Sequence, residues 1–403
     1  METKRCIERE YEFGAHNYHP LPVVLKKGKG VHVWDVENKE YIDCLAGYSA
    51  LNQGHCHPLI VEEMIRQASE LTLTSRAFHS DALGEYMEYM CNIFQYDKLM
   101  PMNTGAEAVE TALKLARHWG YRVKGIPENQ AKIVVCESNF HGRTISIVSF
   151  SSDPQSYGGF GPFTPGFITI PYNNVEALYE ALQDPHIVAF LVEPIQGEAG
   201  VIVPDPGYLN DCYELCRKAN VLFIADEIQS GLGRTGSLIC CDHDSVHPDV
   251  LILGKALSGG MFPVSAVLTD NEVMLTIRPG EHGSTFGGSP LAARVAKKAI
   301  EVLLEERMAE NAVLMGEMFR NEVSRIDTPF IKSVRGKGLM NAVEILPYKG
   351  IDAWEICMRM MHEGILAKPT HEHTIRFTPP LVITSEEMTQ VLERLQNVFY
   401  KIK

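Results

Sequence analysis

Long apolar runs are missing from this chain of 403 residues. Its most hydrophobic stretches, such as Ile187 to Val192 and Val221 to Ala225, fall far short of the roughly 20 residues that span a bilayer, so no membrane role is expected. Basic residues are in deficit: 37 Lys and Arg stand against 51 Asp and Glu, a formal net charge of -14. Nucleic acid is held by a surplus of Lys and Arg facing phosphates and is therefore not an expected partner, although a local basic pocket for a small anion stays open. Nothing at the start reads as a targeting segment. Met1 to Glu12 has a Lys-Arg pair but also four Glu and no apolar stretch, unlike a secretory signal or an acid-poor transit peptide. The ten cysteines are scattered along a long chain and do not form a secreted disulfide framework, so a reducing compartment is expected. G-x-S-x-G and Walker A patterns are also missing, which sets aside serine hydrolases and P-loop enzymes.

The chain does contain what an ordinary globular protein needs, with 45% hydrophobic and 22% charged residues over a length suited to two or three domains. Residues 1–48 read as an N-terminal segment, with short alternating strands at Val31 to Val36 and Tyr41 to Leu45 around a turn at Glu37-Asn38-Lys39. Helical periodicity follows at Glu62 to Leu71 and Leu83 to Phe94. Continuous apolar runs at Lys132 to Cys136, Ile187 to Val192, Val221 to Ala225, Val250 to Leu253 and Val264 to Leu268 suit strands covered on both faces. Helices at Ala106 to Trp119, Val175 to Leu182 and Tyr208 to Ala219 lie between or before them. The expected fold of residues 49–309 is therefore α/β with a largely parallel sheet, whose ligands bind at the carboxyl ends of the strands. A long helical pattern from Pro290 to Ile326 breaks at Glu305-Glu306-Arg307. The remainder, residues 310–403, alternates as a smaller C-terminal α+β domain with strands at Lys332 to Val334, Met340 to Ile345 and Ile375 to Phe377, and helices at Ala353 to His362 and after Thr384.

Two strand ends carry chemistry. Leu222 to Ala225 runs into Asp226-Glu227, and Val250 to Leu253 runs into Gly254-Lys255-Ala256. Alone, the aspartate is an ordinary turn cap and the lysine an ordinary solvated loop residue. Together at neighbouring strand ends they match what a pyridoxal phosphate site needs, an amine for covalent attachment and a carboxylate for the pyridine nitrogen. A cradle for the phosphate is offered by Met102 to Ala108, where Asn103-Thr104-Gly105-Ala106 opens a helix and the amides of Thr104, Gly105 and Ala106 would face an anion. The hydroxyls of His282-Gly283-Ser284-Thr285-Phe286-Gly287-Gly288 are a second candidate.

These runs, with Leu222 to Gly236 and Pro248 to Ala266, resemble the class III pyridoxal phosphate-dependent aminotransferases from about Arg9 to Leu395. Within that family, Gly14 to Pro20, Tyr48 to Pro58 and Val192 to Gly200 are similar to members acting on ornithine. The resemblance implies a fold-type I enzyme with a mostly parallel seven-stranded sheet, working as a homodimer or a multiple of one. It implies that Lys255 binds the cofactor and moves the substrate proton, that Asp226 pairs with the ring nitrogen, and that Gln229 lies near the phenolic oxygen. Phe140 stacks on the ring, Gly105 and Ala106 hold the phosphate, and Ser284 and Thr285 reach it from the neighbouring subunit. On the substrate side it implies that Arg143 and Tyr18 hold the α-carboxylate of ornithine and that Arg376 receives that of glutamate. Glu198 masks Arg376 when ornithine is bound, and Tyr48 tunes preference for ornithine. The implied reaction passes the δ-amino group of ornithine to 2-oxoglutarate, giving glutamate 5-semialdehyde and glutamate, with acetylornithine or 4-aminobutyrate as the alternative amine donor. Members commonly carry valine where this chain has Ala106, a change of little weight because amides do the binding. The likeness starts so near Met1 that the cytosol is the expected location, with the mitochondrial matrix as the alternative for a trimmed chain.

Other signals are set aside. Gly231-Leu232-Gly233-Arg234-Thr235-Gly236 fits the dinucleotide pattern, but Ser237 to Asp242 does not read as the amphipathic helix that would hold a pyrophosphate. Cys240-Cys241-Asp242-His243 with His247, and His55-Cys56-His57, lack the partner spacing of a closed zinc site, so no metal is expected.

Overall fold

The computed structural model describes residues 2–348 and 350–402. Its centre is a sheet of seven strands, here numbered in chain order: β1 (Lys98–Met102), β2 (Lys132–Cys136), β3 (Phe167–Ile170), β4 (Ile187–Val192), β5 (Leu222–Asp226), β6 (Val250–Leu253) and β7 (Ser265–Thr269). Their spatial order is β1-β7-β6-β5-β4-β2-β3. Strands β3, β2, β4, β5 and β6 pair in parallel, whereas β7 runs antiparallel to both its neighbours. The five apolar runs of the sequence are all strands of this sheet. Two further strands, β1 and β3, complete it.

Alternate side chains of these strands feed two separate cores, as the twofold period of a strand requires. Val134, Phe190, Phe223 and Leu251 are buried on one face; Ile133, Leu191, Ile224 and Ile252 are buried on the other, against the helix Gly105–Arg122. That helix lies so close to the sheet that a Cβ on Gly120 would come within 2.3 Å of Val188 Cγ1. The sheet ends therefore have a rigid base, and their loops inherit its geometry.

The pattern from Pro290 onward divides into helices Pro290–Glu305 and Met308–Ser324, with Arg307 in the left-handed region at φ +52° as the break. Beyond it, strands Ile331–Lys337, Met340–Ile345, Thr374–Phe377 and Lys368–Thr370 form an antiparallel sheet in that order, covered by helices Met308–Ser324 and Ala353–His362, with Ser385–Tyr400 packed against both helices. Near the start, Leu25–Lys29, His32–Asp35 and Glu40–Asp43 form a third sheet, and Ile365–Leu366 joins it in parallel beside Ile42 and Asp43. Residues before it fold as the helix Glu2–Phe13, which buries none of its side chains. Among the described residues no helix is long and apolar enough to cross a membrane.

The glycine-rich run after β5 is a junction between these parts. Arg234 is fully buried and donates Nη1 to Leu339 O (3.0 Å) and Pro379 O (2.7 Å), and Nη2 to Asn52 Oδ1 (2.6 Å). Glu227 accepts from Ser230 Oγ (2.6 Å) and Cys241 N (2.8 Å). The segment after the glycines is a short 3-10 turn, Cys240–Asp244, so the dinucleotide reading has no helix to rest on.

Candidate active site

A cavity of about 210 Å³ opens at the carboxyl ends of β5 and β6, lined among others by Gly105, Ala106, Phe140, Glu198, Asp226, Gln229 and Lys255. Seven of the thirteen residues singled out by sequence thus share one space. Lys255 begins a short 3-10 turn directly after β6 and takes φ +43°, a conformation rarely adopted by a residue with a side chain. Burial lowers its pKa; the charges of Glu198 and Asp226 oppose that shift, and that of Arg376 adds to it.

Asp226 ends β5 and is buried. Its Oδ1 accepts from Ile228 N (3.1 Å), and its Oδ2 lies 2.6 Å from His141 Nδ1. His141 was not singled out by sequence. Burial alone would lower its pKa, but the hydrogen bond and charge of Asp226 outweigh that and raise it. Beside it, Glu193 accepts from Phe140 N (2.8 Å) and Gly197 N (3.2 Å) and is pushed up to about 7, chiefly by burial. One carboxylate therefore fixes both the backbone of Phe140 and the loop leading to Glu198.

The helix that begins at Gly105 is capped by Thr104. Its Oγ1 accepts from Glu107 N, and Glu107 Oε2 accepts from Thr104 N and Asn103 N, both at 2.9 Å. This corrects one expectation: the Thr104 amide is taken up by Glu107 rather than offered to an anion. Gly105 and Ala106, whose first-turn amides have no acceptor within the helix, line the cavity. A Cβ on Gly105 would come within 3.0 Å of Ile228 Cδ1.

Arg376, on the strand Thr374–Phe377 of the small sheet, is 2% exposed. Its Nη1 donates to Glu198 Oε1 (2.7 Å) and to Gln229 Oε1 (3.3 Å). For Glu198, burial would raise the pKa, but the charge and hydrogen bonds of Arg376 lower it overall. A Cβ on Gly197 would sit 1.6 Å from Gln229 Oε1, so a side chain there would displace the Gln229 amide from Arg376. Tyr48 presents its ring 4.9 Å from Arg376 Cζ, and Arg143 Cζ lies 5.5 Å from the Phe140 ring with Nη1 donating to Ser156 Oγ at 3.3 Å.

Of the other six, Arg376 and Arg143 stand beside residues of the lining and Tyr48 beside Arg376, and three are not brought to this cavity within one chain. Tyr18 is 74% exposed on the N-terminal segment, with Lys368 Nζ 5.9 Å from its ring. Ser284 and Thr285 line a separate cavity with Ser75, Arg76 and His282, where Ser284 Oγ accepts from Asn103 Nδ2 at 2.8 Å. The histidines considered for zinc are engaged elsewhere: His55 Nε2 with Asp43 Oδ2 (2.8 Å), His57 Nε2 with Glu306 Oε1 (2.9 Å) and His243 Nε2 with Thr235 O (3.0 Å). No cluster of three or more potential metal ligands occurs among the described residues.

A half-buried amine, a histidine-supported carboxylate, an aromatic wall and a capped helix N-terminus around one cavity fit pyridoxal phosphate. Two buried nitrogens at this site, His141 Nε2 and Arg376 Nε, have no hydrogen-bond partner among the described residues. The fold and site define a class of enzyme, and the comparisons agree: the family model "Aminotransferase class-III" matches residues 13–399, so the chain belongs to that family and is a pyridoxal phosphate-dependent transaminase. It is 60% identical to the mitochondrial ornithine aminotransferase of Rattus norvegicus, over 97% of this chain and 89% of that protein. An ornithine aminotransferase structure from Toxoplasma gondii, described with pyridoxal phosphate at its active site in partial occupancy, superposes with a TM-score of 0.98 at 50% identity, covering 99% of this chain and 94% of that one. An acetylornithine aminotransferase structure from Elizabethkingia anophelis superposes with a TM-score of 0.92 at 56% identity, covering 99% of each chain.

Proposed function

We propose that this transaminase passes the δ-amino group of L-ornithine to 2-oxoglutarate, giving L-glutamate 5-semialdehyde and L-glutamate and so linking arginine and proline metabolism. The observation that carries the reading is the Arg376–Glu198 pair in contact with the Lys255 cavity. Ornithine has one carboxylate and a remote amine, whereas glutamate and 2-oxoglutarate have two carboxylates. A guanidinium already paired with Glu198 gives ornithine's α-carboxylate no free partner there, which disfavours entry by the wrong amine. When Glu198 moves aside, Arg376 is a bidentate partner for the α-carboxylate of glutamate.

When bound, pyridoxal phosphate supplies the electron sink that makes loss of a substrate C–H proton feasible. Lys255 would attach it and carry that proton; its lowered pKa leaves more of the amine unprotonated near neutrality than in free lysine. Asp226, held by His141, keeps a proton on the ring nitrogen. Phe140 would form the aromatic wall, Gln229 would meet the phenolic side of the ring, and Gly105 and Ala106 would hold the phosphate. Ser284 and Thr285 act on the phosphate of a second copy, which accounts for their lying apart from Lys255 in one chain and makes the working unit a homodimer or a multiple of one. Arg143 and Tyr18 hold the α-carboxylate of ornithine at the outer end. For location, the name of the rat relative, a mitochondrial enzyme, supports a mitochondrial site.

A second reading, acetylornithine as amine donor, is favoured by the 56% identity to the Elizabethkingia enzyme. Initial rates on ornithine, acetylornithine and 4-aminobutyrate decide between them: kcat/KM for ornithine is expected to exceed the others by at least about tenfold, since acetylornithine adds an acyl group that the pocket must fit and 4-aminobutyrate is a carbon shorter and lacks the α-amine. A preference for either of the other two refutes the substrate assignment. In the same assay, Glu198→Ala is expected to raise kcat/KM for glutamate relative to ornithine by about tenfold, by unmasking Arg376. An unchanged ratio would remove the gating role.

A further inference from the structure

Residues 46–49 form a left-handed turn, with φ of +48° at Ala46, +56° at Gly47, +60° at Tyr48 and +71° at Ser49. Only one of the four is glycine, so three L side chains stand where they are rarely found, and successive residues of this hand are rarer still. Such a segment persists only where its surroundings over-determine it. Here they do so from two sides. Asp43 Oδ1 accepts from Leu45 N (2.8 Å) and Ala46 N (2.9 Å), while its Oδ2 lies 2.8 Å from His55 Nε2. His55 is in turn seated against Gly28, where a Cβ would come within 2.7 Å of the ring Nδ1.

The other side comes from the small sheet. Thr378, two residues beyond Arg376, donates its N–H to Cys44 O (2.7 Å) and its Oγ1 to Leu45 O (2.9 Å). The turn is thereby fastened to the strand that carries Arg376. Its product is the placement of Tyr48, whose ring lies 4.9 Å from the Arg376 Cζ, against the same guanidinium that pairs with Glu198. An ordinary right-handed turn over residues 46–49 would send the Tyr48 side chain in another direction.

We propose that Asp43 is a positioning residue for this enzyme: acting through the left-handed turn, it fixes Tyr48 against Arg376 and so sets how the pocket tells a donor with one carboxylate from a substrate with two. The inference rests on the reading above that the site alternates between two such substrates. Asp43 touches neither substrate nor cofactor in this account. Its effect is therefore on discrimination between half-reactions, where a purely structural cap would lower both alike.

The test measures the two half-reactions of the holoenzyme separately, one with the preferred amine donor and one with glutamate, as second-order rate constants. Wild type, Asp43→Ala, Asp43→Asn, Tyr48→Ala and the Asp43→Ala/Tyr48→Ala double variant are compared. Asp43→Ala is expected to change the ratio of the two constants by at least about fivefold, a coupling typical of residues in one network. Asp43→Asn, which keeps an oxygen acceptor for the turn, is expected to return the ratio toward wild type. In the Tyr48→Ala background, Asp43→Ala is expected to leave the ratio where it is. A proportional fall in both constants, or the same change of ratio with and without Tyr48, overturns the proposal. Should Asp43→Ala not accumulate as folded holoenzyme, Thr378→Val removes only the Oγ1 bond to the same turn; it is expected to shift the ratio in the same sense, and an unchanged ratio overturns the proposal. If wild type does not accept ornithine, the substrate reading fails, and the comparison still runs with whichever donor it does accept.

Discussion

Lys255→Ala is expected to lower turnover by at least about 10³-fold, with the folded protein and the remaining cavity intact. Positioned proton transfer alone contributes roughly 10² to 10⁴ in rate, and on the proposed mechanism this substitution removes the covalent attachment point as well. No neighbour takes over. The other cations near the site are committed elsewhere, Arg376 to Glu198 and Arg143 to Ser156. Asp226, His141, Phe140 and the helix start at Gly105 remain, so cofactor retention by contacts alone is expected. Activity assays together with a cofactor count on the purified variant check both halves. Retained turnover would show that the amine after β6 does not carry the chemistry.

Asp226→Ala is expected to cost about 10²-fold or more in kcat, with a smaller change in KM. The carboxylate accepts from Ile228 N at 3.1 Å and meets His141 Nδ1 at 2.6 Å, and both partners lose it together. A buried His141 without that carboxylate keeps only the charge of Glu193 in favour of its proton, so its raised pKa should fall back under the desolvation that already opposes it. Asp226→Asn, which keeps the shape but cannot hold a proton on a ring nitrogen by charge, should be nearly as impaired. This distinguishes an electrostatic role from a packing role. Equal activity of Asp226→Asn and wild type in steady-state assays would contradict it.

The central strands were legible because they are buried on both faces. Runs such as Ile187 to Val192 have no polar interruption, and nothing competes with a strand there. β1 was missed because Lys98-Leu99-Met100-Pro101-Met102 carries a proline, which argues against a strand in isolation but is tolerated at the sheet edge. β3 was missed because it is the other edge strand and only one of its residues is buried. The helix Glu2–Phe13 buries no residue, so no apolar stripe marks it toward a core of this chain. By contrast, the break at Arg307 was visible in its charged neighbours and is realised as a single left-handed residue.

For the site, Asp226 and Lys255 stood out because chemistry-bearing residues followed buried strands. The residues that hold them in place did not. His141 meets Asp226 across 85 residues of sequence, and only its position between Phe140 and Arg143 could have drawn notice. Glu193 and Glu227 act through backbone amides whose directions appear only once the loops are folded. The left-handed turn at Ala46 to Ser49 has a single glycine to announce it, because bonds from Asp43 and Thr378 stabilise what local preference opposes.

The most direct measurement of the central claim is a half-turnover count. Holoenzyme mixed with ornithine in the absence of any amino acceptor should release one equivalent of glutamate 5-semialdehyde per active site and then stop. Adding 2-oxoglutarate should release an equal amount of glutamate and restore the capacity for another equivalent. No aldehyde in the first step, or continued release without an acceptor, would contradict an amine store built around Lys255 and Asp226.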